Sequence, residues 1–171
     1  FIGALGNEHA GETLLAALKN DHVDISAVRR VSAPTGRALI GVGDDGENLI
    51  IVVPGANHAI TVDDLEKNSA LISQAKVLLC QLEINLDVVQ RAFELAGSST
   101  MRILNPAPAQ ILSRELLSKV DVVIPNEHEV DLLGGSAKLL TQGVKTVVVT
   151  LGAKGAMLVN AAGATQVDPF K

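Results

Sequence analysis

Between Lys76 and Thr150, aliphatic runs recur at regular intervals: "VLLC" at 77–80, "MRIL" at 101–104, "VDVVI" at 120–124 and "TVVVT" at 146–150. Stretches of helical periodicity separate them. "NLDVVQRAFELAG" is an amphipathic helix closed by Gly97, "AQILSRELLSK" reads as a second helix, and a third run extends from about His128 to Gln142. Continuous apolar strands alternating with helices are the pattern of a parallel sheet covered on both faces. Upstream, "AGETLLAALKNDH" is a further helix, and "TVDDLEKNSALISQA" opens on a Thr61-x-x-Asp64 cap signature. The expected class is α/β, a mostly parallel sheet flanked by helices.

Residues 28–54 break this rhythm. "GRALIGVGDDGENLIIVV" contains two β-rich runs joined by Asp44-Asp45-Gly46-Glu47, a hairpin turn signal. Gly41 to Gly46 also match the G-x-G-x-x-G dinucleotide fingerprint, which requires the glycine turn to open directly into a helix. Here a β-branched run ended by Pro54-Gly55 follows instead, so the match is read as a strand end plus turn. Ile40 and Val42 share one side of their strand; on the next, Leu49, Ile51 and Val53 alternate with Ile50 and Val52. A ribbon apolar on both faces cannot stand alone in water and must cover a ligand, another subunit or both. The expected division is therefore an α/β core, residues 1–27 and 55–171, carrying a β-hairpin lid at 28–54.

In open α/β sheets, ligands bind beyond the carboxyl ends of the strands. Those ends carry Gln81-Leu82-Glu83, Asn105-Pro106, Pro125-Asn126-Glu127-His128-Glu129 and Thr150 to Gly155. A carboxylate, amides and a threonine on one rim suit a small polar ligand. The chain has three Phe and neither Tyr nor Trp, so such a ligand must be held by hydrogen bonds, backbone and aliphatic walls. A net charge of -5 with no Lys/Arg block argues against nucleic acid and anionic membrane as partners. No apolar run approaches about 20 residues, the span of a bilayer. The single Cys80 allows no internal disulfide, which fits a reducing, cytoplasmic location. P-loop, zinc-protease and serine-hydrolase motifs are missing from the sequence.

Individual residues are less decisive. Gly152 and Gly155 could admit phosphate oxygens to the backbone, or could simply turn the chain into the antiparallel strand "GAMLVN". Asn126 and Glu129 suit a metal–phosphate site and equally suit a helix start. Glu83 could accept hydrogen bonds from sugar hydroxyls or be a solvated or capping carboxylate.

Taken as a set, "TGRALIGVGDDGENLIIVVPGAN", "LLCQLE", "LNPAPA", "IPNEHE" and "VVVTLGAKGAMLV" resemble the ribokinase-like family of carbohydrate kinases, and its ribokinase branch most closely. The resemblance implies transfer of the γ-phosphoryl group of MgATP to a sugar hydroxyl, O5 for ribose. It implies that Glu83 binds the sugar while Ala38 and Ile50 of the lid pack on it. Asn126 would contact ATP phosphates, Glu129 would support Mg²⁺ through water, and Thr150, Leu151, Gly152, Ala153, Lys154 and Gly155 would line the nucleotide site. A monovalent cation such as K⁺ is a further candidate cofactor of the complete protein. Ribokinase lids pair between subunits, so a homodimer through the hairpin is implied too. The family's Gly-Gly-x-x-x-Asn sugar motif is absent, and its Asp-Thr-x-Gly-Ala-Gly-Asp element, which carries the catalytic base, would lie beyond Lys171. Glu8 in "GNEHAG" stands where the family typically has Asp. The stretch is expected to be an internal piece of a longer kinase. Alternatives are a relative acting on another sugar or a nucleoside, and a non-catalytic sugar- or nucleotide-binding protein of this fold.

Overall fold

The structure, a computed structural model, describes residues 1–46 and 48–170, and its contacts divide into two units. The first comprises Phe1–Lys67 and Glu83–Asn85. In it, β1 (Gly3–Gly6) leads to α1 (His9–Asn20) and then β2 (Val28–Val31). β1 and β2 pair in parallel, Gly3 with Val28 through Gly6 with Val31. This corrects the expected lid boundary. Val28–Val31 is the partner of a core strand, because a strand–helix–strand crossover places β2 beside β1. The ribbon itself is β3 (Arg37–Val42) and β4 (Asn48–Val53), antiparallel, with Gly46 at φ 83° in the turn. Among the described residues the next element after Gly41–Gly46 is β4 and not a helix, as the hairpin reading expects; Glu47, assigned to that turn, lies outside the described residues. A 3-10 turn at Gly55–Ala59 and α2 (Val62–Lys67) complete the unit. Thr61 and Asp64 form the expected cap: the Asp64 carboxylate accepts the Thr61 N–H at 2.9 Å and its hydroxyl at 2.8 Å.

The second unit, Asn68–Leu82 with Leu86–Lys171, contains α3 (Ser69–Ser73), β5 (Val77–Cys80), α4 (Leu86–Leu95), β6 (Met101–Leu104), α5 (Arg114–Leu117) and β7 (Val122–Val123). α6 (Glu127–Leu132), α7 (Ser136–Thr141), β8 (Thr146–Thr150), a 3-10 turn at Gly152–Lys154, β9 (Ala156–Asn160) and β10 (Gly163–Val167) follow. The six strands form one sheet, ordered β10-β9-β8-β7-β6-β5. β5 to β8 are parallel, and β9 and β10 add an antiparallel edge. The mostly parallel α/β class is therefore observed. α4 shows why its sequence reads as a helix: Val88, Val89, Ala92 and Phe93 recur on one face and all are buried. Leu104, Val123 and Val147 from three adjacent strands complete this core.

Three expected elements differ. The helix read over 109–119 begins only at Arg114, where the Ser113 hydroxyl accepts the Leu116 N–H and caps it. The run from His128 to Gln142 is two helices. Gly134 and Gly135, at φ 90° and 91°, take a left-handed path that ends the first. β5, read as buried, leaves Val77 and Leu79 exposed. It is an edge strand of its sheet, so continuous apolar character does not secure cover on both faces.

One carboxylate ties the amino-terminal ends of the central strands together. Asp121 accepts the Arg102 N–H at 2.8 Å and pairs with Lys145 at 2.6 Å, linking the starts of β6, β7 and β8. Partial burial alone would raise its pKa, but the Lys145 and Arg102 bonds outweigh that and lower it. Asp121→Ala leaves a strand amide unpartnered and is expected to cost about 1–3 kcal/mol in urea unfolding. Because the folded-state pKa is depressed, that difference should be full at neutral pH and shrink as pH falls below about 3.9, the unfolded value. A difference that persists unchanged at low pH would contradict the assignment.

Candidate active site

The nucleotide-side candidates all lie in the second unit. β7 leads through buried Pro125 into α6, and Asn126 is the N-cap of that helix. Its Oδ1 accepts the Glu129 N–H at 2.8 Å, and Glu129 Oε2 accepts the Asn126 N–H at 2.9 Å. The helix-start alternative is thus realised as a reciprocal capping box. On the neighbouring strand, the Thr150 N–H donates to the Pro125 carbonyl at 2.9 Å, and Asn126 and Thr150 form one more parallel bridge. The β7–β8 ladder, extended past its regular pairs, brings Asn126, Glu129 and Thr150 to one rim.

The chain then turns through Leu151 to Gly155. The Leu151 N–H donates to Gly155 O at 2.9 Å and the Lys154 N–H to Leu151 O at 3.0 Å. Both glycines have positive φ, for different purposes. A Cβ on Gly155 would lie 2.0 Å from Val167 O, so a side chain cannot fit; at Gly152 it would meet nothing within 4 Å. Gly152 keeps that side of the turn open. The Gln166 side chain braces the turn from β10, donating to Lys154 O at 2.8 Å. The Lys154 ammonium lies 3.8 Å from Glu127, a solvent-exposed pair of little energetic weight.

Beside the turn is an open pocket of about 440 Å³, lined by Gly152, Ala153, Gly155, Ala156 and residues Val167 to Phe170. Asp168, Pro169 and Phe170 are absent from the candidates read in the sequence. Their signal was the antiparallel reading of "GAMLVN", since the strand that returns along it, β10, carries the following residues back to the turn. An open glycine, an adjacent pocket, a lysine and the Asn126 amide suit a phosphate-bearing nucleotide. Among the described residues no three His, Cys, Asp or Glu side chains gather around a common point. A lone Glu129 fits a magnesium ion held mainly by water and phosphate oxygens rather than by a protein cage.

The sugar-side candidates belong to the first unit. Glu83 follows β5 but packs with this unit, and nearby Asn85 donates to His58 O at 3.3 Å. In the ribbon, Ala38 pairs with Val52 and Ile40 with Ile50. Cross-strand partners share a face, so Ala38 and Ile50 lie on the same one. Leu39, Leu49 and Ile51 lie on the other and are more than half exposed. Burial pushes the Cys80 thiol up to about 12, so it is protonated near neutral pH.

The model of the "pfkB family carbohydrate kinase" matches residues 1–171. The chain is 37% identical over 169 residues to the ribokinase of Haemophilus influenzae, covering 91% of this chain and 55% of that protein. It is 34% identical over 185 residues to the ribokinase of Staphylococcus aureus, covering 100% of this chain and 61% of that protein. The structure of Arabidopsis thaliana ribokinase complexed with ribose and ATP superimposes with a TM-score of 0.85 at 31% identity, over 98% of this chain and 60% of that one. The chain thus spans less than two thirds of the length of these relatives.

The capping box yields a test independent of any ligand. Asn126→Ala is expected to destabilise the protein by about 1 kcal/mol, and Asn126→Asp to leave it near the parent, since both Asn and Asp cap well. Equal losses in chemical denaturation would show that the side-chain amide, rather than the cap, holds this helix start.

Proposed function

Because the chain belongs to the pfkB family of carbohydrate kinases, we propose that the complete protein transfers the γ-phosphoryl group of ATP to a pentose, D-ribose, giving ribose 5-phosphate. One observation carries this reading: Asn126, Glu129, Thr150 and the open glycine turn converge on one sheet rim in a chain matched to ribokinases along its length. MgATP, when bound, supplies the phosphoryl group and divalent charge. The protein's part is positioning and electrostatics.

In this reading Glu83 accepts hydrogen bonds from sugar hydroxyls, and Ala38 and Ile50 present an aliphatic wall to the sugar. The Asn126 amide donates to phosphate oxygens with the helix start already ordered by its cap. Glu129 keeps one oxygen on the Asn126 N–H and offers the carboxylate to metal-bound water. Thr150 to Gly155 line the nucleotide, with Gly152 leaving the backbone accessible. The residues assigned here bind and orient the two substrates; the base that takes the hydroxyl proton is not among them. The ribbon acts as a lid that excludes water from the acceptor. Its second face, with Leu39, Leu49 and Ile51, pairs with a second copy in a homodimer, which would remove that apolar surface from water. A cytoplasmic setting suits a chain with a single cysteine, and K⁺ is the candidate monovalent activator. No helix among the described residues is long and apolar enough to cross a membrane.

The direct test is ADP release by the full-length protein with MgATP over a panel of pentoses, hexoses and nucleosides. Ribose is expected to give the highest kcat/KM; a preference for a nucleoside or hexose would overturn the substrate assignment. Glu83→Ala should raise the KM for sugar well above any change for ATP, by about tenfold or more for a lost hydrogen bond to a charged group. Glu129→Gln should shift the magnesium dependence of kcat to higher metal concentration with stability preserved, since Gln also completes a capping box. An unchanged magnesium curve would confine Glu129 to its helix.

A further inference from the structure

Within the first unit, the chain enters the ribbon through residues 32–36 and leaves it through Pro54 and Gly55, and both passages are held at one place. Thr35 is 3% exposed, and its hydroxyl and its backbone N–H are both engaged there. Its Oγ1 accepts the Gly6 N–H at 3.0 Å, and its own N–H donates to Glu8 Oε1 at 2.7 Å. The guanidinium of Arg37, the first residue of β3, lies 3.9 Å from the same carboxylate oxygen. On the return, the Ala56 N–H donates to Pro34 O at 2.7 Å. The two passages run so close that a Cβ on Gly36 would lie 2.8 Å from Pro54 O, and one on Gly55 2.2 Å from Pro34 O.

Glu8 occupies the N-cap position of α1, yet its side chain makes no capping bond to that helix. Ser, Thr, Asp or Asn would serve a helix better there. The Glu8 carboxylate reaches instead to a residue 27 positions along the chain. Hydrogen bonds from Thr35 and from its own backbone, helped by the Arg37 charge, hold the carboxyl below the usual carboxylate range. It is therefore an anion near neutral pH, able to grip the amide and the guanidinium at once. α1 receives no capping bond from this arrangement, whereas the root of the ribbon gains an anchor.

We infer that Glu8 is a positioning residue for sugar binding: through Thr35 and Arg37 it sets the root of the ribbon whose Ala38–Ile50 face covers the sugar. The inference rests on the sugar-kinase reading above. Glu8 touches no substrate. Its effect passes through the first residue of β3 and the buried threonine two positions before it.

Two measurements on the full-length protein test it. In steady-state kinetics, Glu8→Ala is expected to raise the KM for ribose about tenfold, the scale of one charge-assisted hydrogen bond, with kcat and the KM for ATP near the parent values. Glu8→Gln keeps an acceptor for Thr35 but loses the charge facing Arg37, so its effect should be intermediate. In hydrogen–deuterium exchange, Glu8→Ala should speed exchange across residues 37–53 while α1 keeps its rate. Faster exchange confined to α1, or an unchanged ribose KM in an active enzyme, overturns the proposal. If Glu8→Ala does not fold, Glu8→Gln carries both measurements on the same criteria. Failure of the parent enzyme to phosphorylate any sugar overturns the functional reading instead, and the exchange result then decides the role of Glu8 at the ribbon.

Discussion

Parallel pairing of β5 through β8 governs where anything else in the second unit can sit. Each parallel step needs a crossover to return the chain to the same starting edge, so all four strands release their next residues at the opposite edge. The two edges have become chemically different. At the starting edge, Asp121 joins three strands through the Arg102 amide and Lys145. At the other, Pro125, Asn126, Thr150 and the glycine turn emerge together. Stability and candidate chemistry are thereby separated by the length of a strand.

The rim residues have structural duties before any ligand arrives. Asn126 and Glu129 satisfy each other's backbone amides, and Asn126 also continues the ladder toward Thr150. A rim built this way would need little reordering to hold a ligand, because helix start, strand end and turn are already mutually bonded. The same economy holds at the root of the ribbon. Thr35 and Glu8 spend their hydrogen bonds on fixing where a largely exposed, apolar two-stranded element begins. Such a ribbon has too little buried surface to hold its own orientation, so its direction has to come from its base.

Much of this was readable in the chain because it is local. The alternation of aliphatic runs with amphipathic segments announces the parallel sheet, and the turn between two β-rich runs separates a hairpin from a dinucleotide fingerprint. Thr61 and Asp64 declare their cap by spacing alone. Helix ends were harder. The Ser113 cap and the left-handed glycines at 134 and 135 cut segments that periodicity joins, because a single residue's φ or hydroxyl decides a boundary that a hydrophobic average cannot see.

By itself, then, the sequence determined the α/β class, the hairpin, and the residue types available at each strand end. Tertiary structure alone decided who meets whom. Val28–Val31 reads as the beginning of the ribbon until it is seen beside Gly3–Gly6. Ala38 and Ile50 share a face only through a register that neither strand contains. Asn126 reaches Thr150, and Asp168 to Phe170 come beside the glycine turn, only when the sheet assembles. Periodicity records how each segment divides its own side chains between core and water; pairing between segments depends on backbone hydrogen bonds and packing across distances in the chain that no local pattern encodes.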